Sequence, residues 1–322
     1  MKKLGEIYSE SIESALEGFY ERYSHLPSLY TPTQYILSLG GKRIRPALVL
    51  LAAESFGEKI EKAIDAALAI EVFHNFTLVH DDIMDHASMR RGKETVHKRW
   101  DENTAILSGD VMMIQAYELF EHYDKKTFKA VVRVFNSVAR YVCEGQQMDM
   151  DFEKEKDVTM AQYLKMIELK TAVLLGGALA IGAIVGAASQ KDVDNLYDFG
   201  RYIGIAFQLR DDYLDTYGDE STFGKRIGGD ILEGKKTFLY IHTRNRCSSM
   251  EEFEKAFAIK DEESRIDLVR ELITANGADV AICAEIERIT AKALECVERM
   301  PFSGEVKERY RQLARALGGR TK

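Results

Sequence analysis

The sequence predicts an all-α protein, packed as a single large bundle of about ten or more helices. The chain has only four prolines, at positions 27, 32, 46 and 301, so no proline interrupts a helix between the last two. Apolar residues in that interval recur at spacings of three and four, as they do along one face of a helix. The alternation of apolar and polar residues that is typical of strands is nearly absent.

Helical periodicity is clearest in four segments. They are, in chain order, "IEKAIDAALAIEVFHNFTLVHDDIMD", "TAILSGDVMMIQAYELFEHY", "TFKAVVRVFNSVARYVCEGQQMDM" and "QKDVDNLYDFGRYIGIAFQLRDDYLD". A fifth segment, "TAVLLGGALAIGAIVGAAS" at residues 171–189, is apolar and long enough to raise the question of a membrane span. It is rich in alanine and glycine and poor in bulky side chains. We therefore expect a buried helix of the bundle and no integral membrane protein.

Size and charge limit the possible classes of function. The chain has 322 residues, of which 46% are hydrophobic, and no long glycine-, serine- or proline-rich linker divides it. We expect one domain over residues 1–322. The net charge of −8 argues against a nucleic-acid-binding protein, because binding to phosphate backbones needs a basic field. A small phosphorylated ligand remains possible, since its site needs only local basic groups.

The start of the chain and its cysteines predict a cytoplasmic protein. The segment "MKKLGEIYSESIESALEGFYERYS" is polar and amphipathic and contains no apolar core of a signal peptide. The cysteines follow no metal-site or disulfide spacing, so we expect reduced thiols. They are Cys143, Cys247, Cys283 and Cys296.

Two acidic clusters share the pattern D-D-x-x-D, one in "LVHDDIMDHASMRRGK" and one in "QLRDDYLD". Residues four apart on a helix lie about 40° apart around its axis and about 6 Å along it. Asp81 and Asp85 should therefore share one face, and so should Asp211 and Asp215. Carboxylates this close repel each other, and Mg²⁺, which prefers oxygen ligands, removes that cost. One such cluster could equally be a solvated helix end, but two copies that each follow apolar residues predict metal binding.

Basic side chains surround both clusters. The stretch "GGKRIRP" should form a short turn that holds Lys42, Arg43 and Arg45 on one edge as an anion-binding site. Further basic residues stand in "MRRGK", "LKTAV", "TFGKRIGGD" and "ILEGKKT". They are Arg90, Arg91, Lys170, Lys225, Lys235 and Lys236. Each of them alone is more typical of an ordinary surface charge than of a ligand.

The order of these motifs resembles that of the trans-type isoprenyl diphosphate synthases, which include farnesyl and geranylgeranyl diphosphate synthases. The stretches that carry the resemblance are "GGKRIRP", "HDDIMD" with "RRGK", "KT", "FQLRDDYLD", "GK" and "EGKKT", over residues 40–237. The resemblance implies an isoprenoid synthase type of bundle around a central cavity, and a homodimer. It also implies the reaction, a head-to-tail condensation of isopentenyl diphosphate with an allylic diphosphate that releases diphosphate.

The same resemblance implies a metal site of about three Mg²⁺ ions held between the two motifs. Asp81 and Asp85 would be ligands from the first motif, with Asp82 in support. Asp211 would be the main ligand from the second motif, joined by Asp215.

The substrate-binding residues implied by the resemblance form two groups. The group for the allylic diphosphate consists of Arg90, Lys170, Gln208, Lys225 and Lys235. The group for isopentenyl diphosphate consists of Lys42, Arg45, His74 and Arg91. Thr171 and Gln208 would face the carbocation. Helical spacing agrees for two of these, because His74 lies two turns before Asp81 and Gln208 lies three residues before Asp211.

Product length is predicted from the residues just before the first motif. By the resemblance, bulk there forms the floor of the elongation pocket, so Phe76 points to a short product of C15 or C20. On a helical wheel Thr77 lies nearer the aspartate face, and because it is small we favour C20. Phe73 and Tyr117 would narrow the same tunnel or simply pack in the core.

Three alternatives stay open at this point. The first is a synthase of longer polyprenyl chains. The second is a class I terpene cyclase, although a cyclase pairs its D-D-x-x-D helix with an N/D-x-x-S/T-x-x-x-E motif and does not require the "GGKRIRP" turn. The third is a noncatalytic subunit of a heteromeric synthase, which should have lost acidic ligands or bases that this chain retains.

Overall fold

The structure is a computed structural model that describes residues 4–218 and 227–319. Within these ranges nearly all regular structure is helical, and strands are limited to one two-stranded hairpin. The predicted all-α fold class is confirmed. Lys225 lies outside the described residues.

The elements of the first half are α1 Leu4–Ile7, α2 Ser9–Arg22, α3 Pro27–Ser38, α4 Ile44–Ser55, α5 Ile60–Met84, β1 Met89–Arg90, β2 Lys93–Glu94, α6 Val96–Arg99, α7 Glu102–Glu118 and α8 Lys125–Lys154. The elements of the second half are α9 Met160–Ile167, a π-helical turn Glu168–Ala172, α10 Val173–Val185, α11 Gln190–Tyr217, α12 Gly229–Glu233, α13 Phe238–Arg246, α14 Met250–Phe257, α15 Glu262–Ala275, α16 Ala278–Arg299 and α17 Gly304–Gly318.

The chain divides into two compact units. The first comprises Met1–Asn136 and Gly177–Asp194, and the second comprises Ser137–Gly176 and Asn195–Lys322. The single domain expected from the sequence stays a prediction.

In the first unit, α5 packs against α4 and α7. The early turns of α5 bury small side chains, among them Ala63, Ala66 and Ala67, which let neighbouring helices approach closely. Gly182 of α10 serves the same purpose, because a Cβ there would overlap the backbone of Val49 in α4. This close packing fixes the end of α5, where the first acidic motif lies.

In the second unit, a hydrophobic core gathers residues from α8, α9 and α11 to α16. α9 starts with a capping box, in which Thr159 and Gln162 satisfy each other's backbone N–H groups. Leu209 and Ile205 bury one side of α11. Asp212 of the second acidic motif lies on the same buried side, whereas Asp211 and Asp215 lie on the other side of the helix.

The apolar segment of the sequence lies in the helical stretch Met160–Val185. This stretch is long and apolar enough to cross a membrane, but 78% of its most apolar window is buried inside the protein. Burial of this extent agrees with the expected interior helix.

Candidate active site

The first acidic motif lies at the C-terminal end of α5, in the first unit. Asp81 is half-buried in the last turn, and Asp85 follows the helix as its exposed C-terminal cap. Asp82 points inward and is only 1% exposed. The three carboxylates therefore separate into a buried one and two at the helix end.

Asp82 is held by Arg90 of the hairpin. Arg90 Nε donates to both carboxylate oxygens at 2.8 and 2.9 Å, and its Nη2 lies 2.7 Å from Oδ1. Burial raises the pKa of Asp82 above its usual value, while the bonds from Arg90 lower it. This bidentate pair fixes the direction of the guanidinium that the resemblance assigns to the allylic diphosphate.

The hairpin also carries Arg91. Its tip is formed by Arg91 and Gly92, both in the left-handed region with φ of 52° and 74°. Two further bonds hold its base, because the Tyr35 hydroxyl donates to the carbonyl of Glu94 at 2.8 Å and Thr95 Oγ1 donates to that of Ala87 at 2.8 Å. The hairpin therefore holds two adjacent arginines, Arg90 and Arg91, in fixed positions.

The "GGKRIRP" turn meets this hairpin. Arg91 Nη1 donates to the carbonyl of Gly40. Gly41 has a φ of +139°, and a Cβ there would lie 3.0 Å from the guanidinium of Arg91. A glycine is therefore needed at this position for two reasons, backbone conformation and space.

Arg43 does not share the edge that the sequence suggested for the three basic residues of the turn. Its φ is 45°, and its side chain turns into the core. It donates to Glu71 at 2.7 Å, to Glu13 at 2.9 Å and to the carbonyl of Leu37 at 2.8 Å. Arg43 anchors the turn, and the buried Glu71 is a contributor that sequence reasoning missed.

Arg45 and His74 form a direct contact, with Nη1 of Arg45 3.1 Å from Nε2 of His74. Burial and four surrounding arginines hold the pKa of His74 well below 6.5, so the imidazole is neutral and Nε2 accepts. Burial lowers the pKa of Arg45 to about 10, although Glu71 opposes this, so the guanidinium stays charged at neutral pH. Its Nε is buried without a hydrogen-bond partner among the described residues.

Lys42, Arg45, His74 and Arg91 thus all belong to the first unit, as the prediction for one substrate requires. The positive charges of these basic side chains exceed the single negative charge of Glu71. Burial also lowers the pKa of Arg91. A bound anion would relieve both the excess charge and the unpaired Nε.

The second acidic motif lies near the end of α11, in the second unit. Asp211 is half-buried, Asp212 is 5% exposed, and Asp215 Oδ2 accepts from the backbone N–H of Asp230 at 3.0 Å. Burial and the charge of Asp215 raise the pKa of Asp230 to about 7. Burial and Asp230 likewise raise the pKa of Asp212 well above its usual value. Asp230 therefore adds a fourth carboxylate that the spacing of the motif did not reveal.

Lys170 stands in the π-helical turn and is paired with Asp149 of α8, with Nζ 2.6 Å from Oδ2. Gly145, one turn earlier in α8, makes room for this turn, because a Cβ there would overlap the backbone of Lys170. Asp149 is a further residue that sequence reasoning missed, since a single aspartate in "GQQMDM" carries no motif.

Lys235 follows α12. It lies 2.8 Å from Glu233 and 3.7 Å from Asp230. Burial alone would lower the pKa of Lys235, but Glu233, Asp230 and Asp149 raise it above its usual value. Asp149 thus acts on both lysines that the resemblance assigns to a diphosphate.

A chain of hydrogen bonds links Thr171, Gln208 and Asp212. Thr171 Oγ1 donates to Gln208 Oε1 at 3.2 Å, and Gln208 Nε2 donates to Asp212 Oδ1 at 3.0 Å. The hydroxyl of Tyr163 donates to Asp212 Oδ2. The middle aspartate of each acidic motif is therefore buried and bound to a neighbouring side chain, Arg90 in one unit and Gln208 in the other.

Phe76 belongs to a group of aromatic rings in the first unit. Its centroid lies 5.6 Å from that of Phe73 and 4.8 Å from that of His80, and Phe73 lies 5.1 Å from Phe135. The ring centroid of Tyr117 lies 5.0 Å from that of Phe135. These contacts bring together the residues expected to limit product length.

Thr77 next to Phe76 donates to the carbonyl of His74 at 2.8 Å, within its own helix. His80, one residue before the first acidic motif, contacts the carbonyl of Ile106 at 3.2 Å. Gly109 leaves space for its ring, since a Cβ there would overlap the imidazole.

The residues present fit Mg²⁺ by donor chemistry. All the predicted ligands are carboxylates, and Mg²⁺ prefers oxygen ligands of this kind. Over residues 4–218 and 227–319, no three acidic, histidine or cysteine side chains form a preformed metal site.

Comparison with known proteins identifies the family. The Polyprenyl synthetase family model matches residues 26–275. The chain is 42% identical to a geranylgeranyl diphosphate synthase of Methanosarcina mazei over 236 aligned residues, and these residues make up 73% of each chain. It is 39% identical over 306 residues to a geranylgeranyl pyrophosphate synthase of Geoglobus acetivorans, which covers 94% of this chain and 93% of the relative. A crystal structure of a geranylgeranyl pyrophosphate synthase superposes with a TM-score of 0.92, at 44% identity over 100% of both chains. The chain therefore belongs to the polyprenyl synthetase family, the trans-prenyltransferases that its motifs predicted.

Proposed function

We propose that this protein condenses isopentenyl diphosphate head to tail with an allylic diphosphate. The product is a short trans-prenyl diphosphate of C15 to C20, with C20 favoured, and diphosphate is released. The observation that carries the proposal is the group formed by Arg45, Arg91 and neutral His74, in which Nε of Arg45 is buried and has no hydrogen-bond partner within the described part of the chain. Such a group needs an anion, and the GGKRIRP turn beside it is not required by a cyclase.

Asp81, Asp85, Asp211 and Asp215 are the proposed ligands of Mg²⁺. When bound, the metal supplies positive charge to the diphosphate that departs from the allylic carbon. Burial and neighbouring carboxylates raise the pKa of Asp230 and Asp212, and a cation bound near the second motif would favour their ionised forms.

The basic side chains have separate proposed roles. Arg90, Lys170, Lys225 and Lys235 bind the allylic diphosphate, and Lys42, Arg45, His74 and Arg91 bind isopentenyl diphosphate. At about 4 Å, one cation contributes about 4 kcal/mol per unit of negative charge at an effective dielectric of about 20. Several such groups lower the barrier to breaking the allylic C–O bond, because charge develops on the leaving oxygen.

The reaction then proceeds in two further steps. The double bond of isopentenyl diphosphate attacks the allylic cation and forms the new C–C bond. The adduct loses a proton, which we assign to the released diphosphate. Thr171 and Gln208 present oxygen atoms to the cation, and buried apolar side chains exclude water that would otherwise capture it.

A homodimer in the cytoplasm completes the proposal. Support comes from α7, where Ile106, Leu107 and Ile114 are 39%, 59% and 57% exposed. Apolar side chains grouped on one helix are typical of an interface between subunits. Replacing Leu107 and Ile114 by Asp should give a monomer by analytical ultracentrifugation, and an unchanged sedimentation coefficient would reject this surface.

The function is tested by incubating the purified protein with Mg²⁺, isopentenyl diphosphate and C5, C10 or C15 allylic diphosphates in turn. Dephosphorylated products are then sized by chromatography. The proposal predicts one dominant C20 product, and a dominant C15 product would also be consistent with it. Products far longer than C20 would favour a polyprenyl synthase, and cyclised hydrocarbons would favour a terpene cyclase.

A further inference from the structure

The hydrogen-bond chain in the second unit ends at a residue outside the sequence motifs. We propose that Tyr163 is a positioning residue that fixes the orientation of the Gln208 amide by way of Asp212. The proposal rests on the proposed function, in which Gln208 faces the carbocation.

Tyr163 is placed to hold Asp212 rigidly. Its side chain is 1% exposed, and a buried phenol hydroxyl needs a partner. The hydroxyl donates to Asp212 Oδ2. Burial and the neighbouring Asp212 raise the pKa of Tyr163 well above 10, so the hydroxyl keeps its proton and remains a donor.

The hydrogen bond from the Tyr163 hydroxyl to Asp212 joins α9 to α11.

Both oxygens of Asp212 are occupied, and this determines the orientation of Gln208. Tyr163 donates to Oδ2, and Gln208 Nε2 donates to Oδ1 at 3.0 Å. In the observed arrangement Oδ1 of Asp212 accepts from the amide, so the NH₂ group of Gln208 faces Asp212. Its carbonyl oxygen then points the other way, where Thr171 Oγ1 donates to it at 3.2 Å.

A fixed carbonyl dipole has a direct use in this reaction. The negative end stabilises positive charge that exists only after the allylic C–O bond has begun to break. A flipped amide would present its positive end instead. Loss of orientation should therefore lower kcat and leave the KM of both substrates unchanged, since neither substrate carries that charge in the ground state.

Tyr163→Phe removes only the donor, and Tyr8→Phe is its matched control. Tyr8 is likewise buried, at 2% exposed, and its hydroxyl donates to the carboxylate of Glu54 at 2.7 Å. Both variants should lose similar stability in thermal unfolding. Tyr163→Phe alone should lower kcat, by about tenfold, with both KM values and the Mg²⁺ concentration for half-maximal rate unchanged within about twofold.

A double-mutant cycle tests the route through Asp212. In Asp212→Asn only one side-chain oxygen is left to accept from the Tyr163 hydroxyl and from Gln208 Nε2. This variant should therefore lower kcat as Tyr163→Phe does, and it should not raise the Mg²⁺ concentration needed for half-maximal rate. The double variant should be no slower than the slower single variant. If Tyr163→Phe does not fold, Asp212→Asn alone is decisive through its kcat and its Mg²⁺ requirement.

The outcomes separate this inference from the proposed function. A wild-type protein without prenyltransferase activity would overturn the proposed function. If the wild type is active, three results would overturn this inference and leave the proposed function standing. They are a kcat for Tyr163→Phe equal to that for Tyr8→Phe, additive effects in the double-mutant cycle, and a higher Mg²⁺ requirement for Asp212→Asn.

Discussion

Replacing Gly41 by Ala should weaken the binding of isopentenyl diphosphate without affecting the allylic substrate. At a φ of +139° a side chain costs about 1–3 kcal/mol of backbone strain. The new Cβ would also lie 3.0, 3.1 and 3.2 Å from three atoms of the Arg91 guanidinium. Arg91 would have to move away from the turn, and it is one of the groups assigned to the homoallylic diphosphate.

The expected magnitude follows from that single displaced contact. A hydrogen bond to a charged group contributes about 1.5–3 kcal/mol, which corresponds to a rise of about 10- to 100-fold in the KM of isopentenyl diphosphate. Steady-state rates with each substrate varied in turn measure both KM values. The KM of the allylic diphosphate should stay within about twofold of wild type.

Gly57→Ala is the control for backbone strain. Gly57 also has a positive φ, +85°, but a Cβ there meets no heavy atom within 4 Å. Both variants should lose stability, and only Gly41→Ala should change a KM. Equal kinetics for the two variants would refute the role given to the Gly41–Arg91 contact.

Three further predictions concern stability, pH and product length. Glu71→Gln leaves the buried guanidinium of Arg43 short of a counter-charge and should lower the free energy of unfolding by about 3–5 kcal/mol. Glu13→Gln, whose carboxylate side chain is 51% exposed, should cost about 0–1 kcal/mol in the same denaturant titration, and equal losses would contradict the anchoring role. Because the pKa of His74 is held well below 6.5, the unfolded chain takes up a proton below pH 6.5 that the folded chain does not. The free energy of unfolding should therefore fall as pH drops below 6.5, by up to about 1.4 kcal/mol per pH unit. The fall should be smaller in His74→Gln, and identical pH profiles for the two proteins would argue against a buried neutral imidazole. Phe76→Ala should lengthen the product measured by chromatography, whereas unchanged length would remove Phe76 from the pocket floor.

The helices were predictable because their signals are local. Proline positions and apolar periodicity fix where α5, α7, α8 and α11 lie, and the motif spacing places Asp81 and Asp211 on helix surfaces. The family resemblance rested on the order of several short motifs, and the comparisons confirmed it. The roles of the individual site residues stay predictions.

Other features depend on contacts between distant residues and could not be predicted. The sequence does not distinguish Arg43, which turns into the core toward Glu71, from Arg45, which does not. The π-helical turn at Lys170 arises where Gly145 lets two segments approach, and apolar periodicity gives no sign of it.

The contributing polar residues outside the motifs were missed for a related reason. Asp149 and Tyr163 gain their roles only by meeting Lys170 and Asp212 across the fold. A buried polar residue must find a partner, but composition and spacing do not say which one.

The central claim is that both acidic motifs bind the allylic diphosphate through Mg²⁺. The most direct measurement is the affinity for a non-ionisable allylic diphosphate analogue, by calorimetry, for wild type, Asp81→Asn and Asp211→Asn. We expect Mg²⁺-dependent binding that chelation abolishes and that each variant weakens at least about tenfold, which is about 1.4 kcal/mol. Binding that persists after chelation, or that only one of the two substitutions weakens, would contradict the claim.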